Sequence, residues 1–444
     1  MKTRIKPEIA LFTLLALAVA VVVLPILGNL PLNGDEKHIL DHIIKMRTAD
    51  LGSVLSSSND IFFSAYAYVV NLIAKFTTID IAVILRLPGA VAAMILTLCL
   101  FHYNRTGDKT DTSFLASLLF LSCGLTMRFT FQASPIIIPA ALFIFALMSG
   151  YRLACNSTKR HFWIAVFASA CSTVFIGVTS PIICVMMIIV LMASNSGYSA
   201  KNYVGTVISQ ILGIAAAFIG IYIITGNRDI ADSIFNVSRQ LDALGLRNSM
   251  INVFASYLIF AVFPWSIPLI ISAFWFFKHI NKVWHKFLTL GTLQQFGIVI
   301  FLFTLPSMFF ETRFSLILIV TSMFFNMPLI GKYLLYQFDR HPSVWRITGG
   351  IAATIVALGV VAFIVLKSAA SITIGSISIA LAHGLDFWSV LVLVCIFISL
   401  YSLWRNKREI RNNHRYLYNI VVLYFLSAVL TIGYIIQKVA ITSL

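Results

Sequence analysis

The stretch Asn33-Gly34-Asp35-Glu36-Lys37-His38-Ile39-Leu40-Asp41-His42 gathers ionisable groups in a chain that is otherwise close to pure hydrocarbon. Pro31 and Gly34 break the apolar segment before it, and Asp35 stands where an N-cap would open a new helix. On that helix Asp35, His38, Asp41 and His42 would recur near one side, at spacings of three and four residues. The same residues also suit a plain capped surface helix, so their meaning depends on what surrounds them.

What surrounds them is apolar. Of 444 residues 59% are hydrophobic and 11% charged, with a mean hydropathy of +0.94, which excludes a soluble domain. A helix needs about 20 apolar residues to cross the hydrocarbon layer. On that ruler the sequence predicts an all-α polytopic membrane protein whose spans fall near 9–28, 79–101, 112–127, 134–151, 162–177, 179–194, 204–225, 251–277, 287–308, 313–335, 348–367, 386–404 and 417–437, some 13 in all. The breaks at 177–179 and around Arg128 are the weakest in the pattern. No soluble domain, internal repeat or low-complexity segment interrupts them, so residues 1–444 read as one membrane domain. Pro264, Pro268, Pro306 and Pro328 inside spans mark kinks.

The formal net charge of +16 follows topology rather than nucleic acid, because the basic residues crowd short loops between spans. With the N-terminus (Lys2, Arg4, Lys6) in the cytoplasm, 20 of the 32 basic residues fall on that side. The protein is thus expected in a plasma membrane, with 29–78 and 226–250 as large external segments facing the periplasm or another extracytoplasmic space. Six cysteines, at 99, 123, 155, 171, 184 and 395, lie singly in or near apolar stretches and read as packing residues.

The first external segment continues through Arg47, Asp50, Ser56 to Ser58, Asn59 and Asp60 into Ile61-Phe62-Phe63-Ser64-Ala65-Tyr66-Ala67-Tyr68-Val69-Val70. That run is too short, and too closely followed by Lys75, for a secure span; an interfacial amphipathic helix fits it better. The second carries Arg228, Asp229, Asp232, Arg239, Asp242 and Arg247, and suits either a cover over a site or a solvated loop. Three arginines adjoin spans at their external ends: Arg86, Arg128 and Arg313, the last just after Glu311. A guanidinium at the centre of a membrane helix costs about 2.5–3.5 kcal/mol, less toward the interface. One such arginine is explained by snorkelling to headgroups. Three at the depth of an acidic loop point to phosphate, whose oxygens the planar guanidinium fork matches.

A carboxylate and several arginines at a membrane rim suit a site that handles a phosphorylated lipid; suppose the donor is a sugar joined to a polyprenyl phosphate. The leaving group is already a stabilised anion, so a single base suffices, unlike glycoside hydrolysis with its two carboxyls. Asp35 would take the acceptor's proton while arginines hold the phosphate. His38, Asp41 and His42 also have a spacing compatible with a divalent metal, although an amphipathic helix explains them better.

Asp35-Glu36 with His38 after a first span, Leu85-Arg86-Leu87-Pro88-Gly89-Ala90 opening the second, and Glu311-Thr312-Arg313-Phe314 late in the chain together resemble the polyprenyl-phosphate-dependent glycosyltransferases of the GT-C fold. More narrowly the chain resembles the protein O-mannosyltransferase superfamily, which includes the lipid A aminoarabinose transferases. The resemblance implies Asp35 as the catalytic acidic residue with Glu36 as its neighbour, and Arg86 and Arg313, with Arg128, at the donor phosphate. His38, Asp41, Asp60, Glu311 and Arg239 are possible accessory residues, with any metal ligands unknown. It implies a polyprenyl-phosphate sugar donor, a lipid, glycan or protein acceptor outside the cytoplasm, membrane lipids around the chain, no nucleic-acid partner, and no cofactor beyond a possible divalent metal. Two departures stand out. In Arg128-Phe129-Thr130-Phe131-Gln132-Ala133-Ser134-Pro135 the second acidic position of the family is Ala133, and the Glu-Lys-Pro-Pro element has Ser58-Asn59-Asp60 near its place, leaving Asp41 or Asp60 as substitutes. A multi-span transporter or flippase, or a polysaccharide polymerase or ligase, would also use charges among spans. A transporter, however, places them near the midplane and repeats its halves.

Overall fold

Asp80 starts the helix that carries Arg86. Its carboxylate accepts from the Ala82 N–H at 3.1 Å and its carbonyl from the N–H groups of Val83 and Ile84 at 3.0 and 3.1 Å, an N-cap in the expected sense. In the computed structural model of the protein, the residues described fall, with short gaps, within 36–44, 61–226, 313–340, 347–364, 371–380, 387–406 and 416–427, with isolated positions at 235 and between 295 and 304. The predicted spans at 9–28 and 251–277, and nearly all of the external segment 226–250, lie outside them.

The chain forms two compact units, one made of residues 34–96 and 133–326, the other of 1–33, 97–132 and 327–444. In the first, the described positions between 36 and 44 are helical. They are followed by α1 (Ile61–Phe76) and α2 (Ile81–Arg105), which runs on into the second unit. Helix α1 has 16 residues, about 24 Å at 1.5 Å per residue, short of a bilayer core. It buries Tyr66, Ala67, Val70 and Asn71 and exposes Leu72 and Phe76, the two-faced pattern expected of an interfacial helix.

Helices α3 (Thr110–Leu121) and α4 (Gly124–Phe131) come next in the chain and belong to the second unit. The single span expected over 112–127 is thus two helices. The Cys123 N–H turns to the Phe120 carbonyl at 3.3 Å, Ser122 Oγ and Cys123 Sγ donate to the Leu119 carbonyl at 3.1 and 3.2 Å, and Gly124 follows, so side chains take the place of one backbone bond there.

The first unit resumes with α5 (Ile137–Cys155), α6 (Lys159–Ile176), α7 (Thr179–Ala193) and α8 (Ala200–Thr225). Thr158 caps α6, its hydroxyl accepting from the His161 N–H at 3.3 Å. Gly177, at φ 81°, ends it, so the suspected break at 177–179 is a true helix boundary. These helices approach closely through small and hydroxyl side chains, as expected where lipid removes the hydrophobic drive between helices. A Cβ on Gly213 would collide with the Ser169 side chain, and Ser169 Oγ donates to the Gln210 carbonyl at 3.4 Å. Ser172 and Ser180 hydroxyls meet at 2.8 Å, and Asn202 Nδ2 donates to the Ala154 carbonyl at 3.0 Å.

Helix α9 (Arg313–Arg340), bearing Pro328, runs from the first unit into the second, which also contains α10 (Phe387–Asn406). Within this unit Phe114 packs edge-on to Tyr418, and Asn419 Nδ2 donates to the Ser402 hydroxyl at 2.8 Å. Strands β1 (Ser371–Ile374) and β2 (Ile377–Ala380) pair antiparallel, Ile372 opposite Ile379, and form the one described departure from an all-α architecture. Four described helices are long and apolar enough to cross a membrane: 81–102, 137–155, 202–224 and 316–340.

Candidate functional site at the Glu36–Arg86 ion pair

Arg86 is the sixth residue of α2, two residues before Pro88. Proline has no N–H to give the Ile84 carbonyl and its ring crowds that oxygen, so this turn needs support from outside the helix. Support comes from α1: Tyr66 Oη donates to the Leu85 carbonyl at 2.5 Å, in a buried bond. Burial, and then the charge of Glu36, push the Tyr66 phenol well above its ordinary value of 10, which keeps it a donor. Ile39, Ile43, Tyr66, Ala67, Val70, Ile84, Leu85 and Ala133 form the apolar cluster around this turn.

Inside that cluster Glu36 and Arg86, 0% and 1% exposed, form a two-pronged ion pair. Arg86 Nε donates to Glu36 Oε1 at 2.7 Å and Nη2 to Oε2 at 2.8 Å. The Ala133 N–H also donates to Oε1, at 2.7 Å. Three charge-assisted bonds of this length are the strong kind, and their planar fork fixes orientation as well as distance. Removing either partner would leave an uncompensated buried charge, at a cost of about 3–5 kcal/mol. Three segments far apart in the chain therefore meet at one carboxylate: the acidic loop, the start of α2, and the stretch where the family resemblance places a second acid. At that last position Ala133 contributes its backbone N–H instead of a side chain.

This arrangement separates the two acidic neighbours. Glu36 is already committed to donors on both oxygens, which leaves it poorly suited to take a proton from an acceptor. Lys37 and Asp41 lie on the exposed side, opposite buried Glu36, Ile39 and Ile43. Arg128 lies in helical backbone in α4 and Arg313 is the first residue of α9. Asp35, His38, Asp60, Arg239 and Glu311 fall outside the described residues. Among the described residues no group of three His, Cys, Asp or Glu side chains is placed to hold a metal. The sequence pointed to Glu36 and Arg86 separately but missed that they pair, and it missed Tyr66 and the Ala133 N–H. The sequence placed Tyr66 in an interfacial helix, yet nothing in that reading identifies a hydroxyl aimed at another helix's carbonyl.

Apolar helices of membrane-crossing length make this an integral membrane protein, and its fold is GT-C-like, as comparison with solved structures shows. Among solved structures the chain is similar to ArnT from Cupriavidus metallidurans in its apo state, with a TM-score of 0.59 and 12% identity over 96% of this chain and 78% of that one. It is similar also to the same protein bound to undecaprenyl phosphate, with a TM-score of 0.57 and 14% identity over 96% of this chain and 77% of that one. At such identities the likeness defines the fold alone. No family model and no curated protein matches the sequence.

Proposed function

We propose that this protein is a membrane glycosyltransferase that moves a sugar from a polyprenyl-phosphate donor to a hydroxyl of a lipid, glycan or protein acceptor on the extracytoplasmic side. The observation that carries the reading is the closure of Glu36 on Arg86 and the Ala133 N–H, because it joins one residue from each of two stretches on which the resemblance rests, Asp35-Glu36 and Leu85-Arg86-Leu87-Pro88, in a single buried ion pair. The fold supports it, since ArnT from Cupriavidus metallidurans, to which the chain is similar, has been crystallised with undecaprenyl phosphate.

In the proposed reaction the acceptor oxygen attacks the anomeric carbon from the side opposite the phosphate. The new C–O bond forms as the sugar–phosphate bond breaks, the polyprenyl phosphate leaves with the electron pair as an anion, and the acceptor's proton passes to Asp35. In-line attack inverts the anomeric centre. Asp35 takes the role of base because both oxygens of Glu36 are already engaged. Arg313 and Arg128 are the proposed phosphate partners, where charge on the leaving group grows. The excess of Lys and Arg in the loops on one side supports a cytoplasmic N-terminus and an outward-facing site in an inner membrane.

The test is transfer of a labelled sugar from a polyprenyl-phosphate donor by the purified protein, comparing wild type with Asp35→Asn. Turnover in wild type and loss of about 100-fold or more in the variant supports the reading. Equal turnover in the two would remove Asp35 from the mechanism.

A further inference from the structure

We infer that Arg86 is a positioning residue that acts through Glu36 to set the place of Asp35, and that it does not hold the donor's phosphate. This rests on the transferase reading above. The family resemblance would put this arginine among the phosphate partners, and the geometry points elsewhere. Two of its guanidinium nitrogens, Nε and Nη2, are engaged by the two oxygens of Glu36 at 2.7 and 2.8 Å, in a pair with almost no solvent exposure. The pair is neutral as a whole, so its attraction for an incoming phosphate anion is weak. A phosphate would have to displace a buried carboxylate that is also held by the Ala133 N–H. A second anion beside Glu36 would also be repelled by its carboxylate.

What the pair can do is fix a backbone. Glu36 is tied to α2 through Arg86 and to residue 133 through an N–H, and Arg86 stands on a turn that Tyr66 braces at Leu85. Asp35 is the preceding residue in the chain, so whatever fixes Glu36 limits where the Asp35 Cα lies. A base misplaced by about 1 Å costs on the order of 100-fold in rate. Such anchoring of a reactive group by buried polar neighbours is the usual condition for a competent site.

The experiment compares wild type, Arg86→Lys, Arg86→Gln, Glu36→Gln and the double variant Glu36→Gln/Arg86→Gln, all purified in detergent and checked for monodispersity. Each is titrated with undecaprenyl phosphate, and each is assayed for sugar transfer with kcat and donor KM resolved. A positioning role predicts undecaprenyl phosphate binding and donor KM close to wild type in every monodisperse variant, with kcat lower by about 100-fold in each variant that carries one Gln. The double variant should be no slower than the slower single one, since both act through one arrangement. Arg86→Lys, which keeps charge but not the fork, should retain binding and recover part of kcat, and it serves where Arg86→Gln does not fold. Weakening of undecaprenyl phosphate binding by about tenfold or more in the Arg86 variants, with Glu36→Gln binding normally, would assign Arg86 to the phosphate and overturn the inference. That result would leave the transferase reading intact. A wild type that neither binds undecaprenyl phosphate nor transfers sugar would remove the reading and this inference together.

Discussion

Replacing Arg86 by Met keeps the length and apolar stem of the side chain and removes its charge. Glu36, 0% exposed, would then keep the Ala133 N–H but lose both guanidinium bonds, leaving a buried carboxylate without its counter-ion. The expected loss of stability is about 3–5 kcal/mol. Glu36→Gln strands the guanidinium instead. It keeps an acceptor for the Ala133 N–H but turns an amide N–H₂ toward Arg86, so the loss is again about 3–5 kcal/mol. In the variant that combines Glu36→Gln with Arg86→Met no charge remains. The introduced amide carbonyl can still accept from Ala133, and the main cost is one unsatisfied amide donor, about 1–3 kcal/mol. The two single losses together should therefore exceed the double loss by at least about 3 kcal/mol, at the upper end of coupling for residues in direct contact. The assay is a thermal or denaturant unfolding series in detergent on the four proteins, read by the monodisperse fraction or by tryptophan emission. Losses that simply add in the double variant would show that Glu36 and Arg86 do not share a buried pair, and the site built around them would fall.

Other expectations follow from the same geometry. Tyr66→Phe deletes the hydroxyl that donates to the Leu85 carbonyl, which should cost about 1 kcal/mol in an unfolding assay. Because the folded-state phenol titrates above its unfolded value of 10, it adds stability that is present below pH 10 and is lost as pH rises further; that part of the alkaline loss should be missing from Tyr66→Phe. Ala133→Asp puts a carboxylate at the position where the family resemblance places an acid, but here it would be buried near Glu36, so it should destabilise by about 3–5 kcal/mol rather than improve activity; a well-folded, more active variant would contradict the role given to the Ala133 N–H. Gly213→Val should push α6 and α8 apart against Ser169 and cost about 1–3 kcal/mol, whereas Gly220→Ala, with no atom near its added Cβ, should be tolerated; the melting temperatures of the two variants make the comparison.

Much of the architecture could be read from residues because the bilayer fixes lengths. Segments 79–101, 134–151, 204–225 and 313–335 each contain enough hydrocarbon to cross, and each is a helix of matching position. Gly177 was legible as a break because glycine alone adopts its backbone angle at little cost. The break at Ser122 and Cys123 was not, since hydrophobicity continues through it and what marks it is a shifted backbone bond with two side chains turned to the carbonyl it leaves. The β1–β2 hairpin follows Ser371-Ile372-Thr373-Ile374 and Ile377-Ser378-Ile379-Ala380, a period of two around Gly375-Ser376 that is too short to stand out among long apolar runs. In the site, charge in an apolar chain drew attention to Glu36 and Arg86, because a buried charge must have a reason. Their pairing depends on where two segments lie in space, and a backbone N–H such as that of Ala133 leaves no trace in residue identity at all.

Glu36 waits for its partners during synthesis. Arg86 emerges from the ribosome 50 residues later, and the Ala133 N–H 97 residues later. Until they arrive, the Glu36 carboxylate lacks the three donors that accompany its burial, and an unpaired charge is costly to bring into hydrocarbon. Only after residue 133 has been made can the loop come to rest. The ion pair can therefore close only after all three of the segments that meet at this carboxylate have been made.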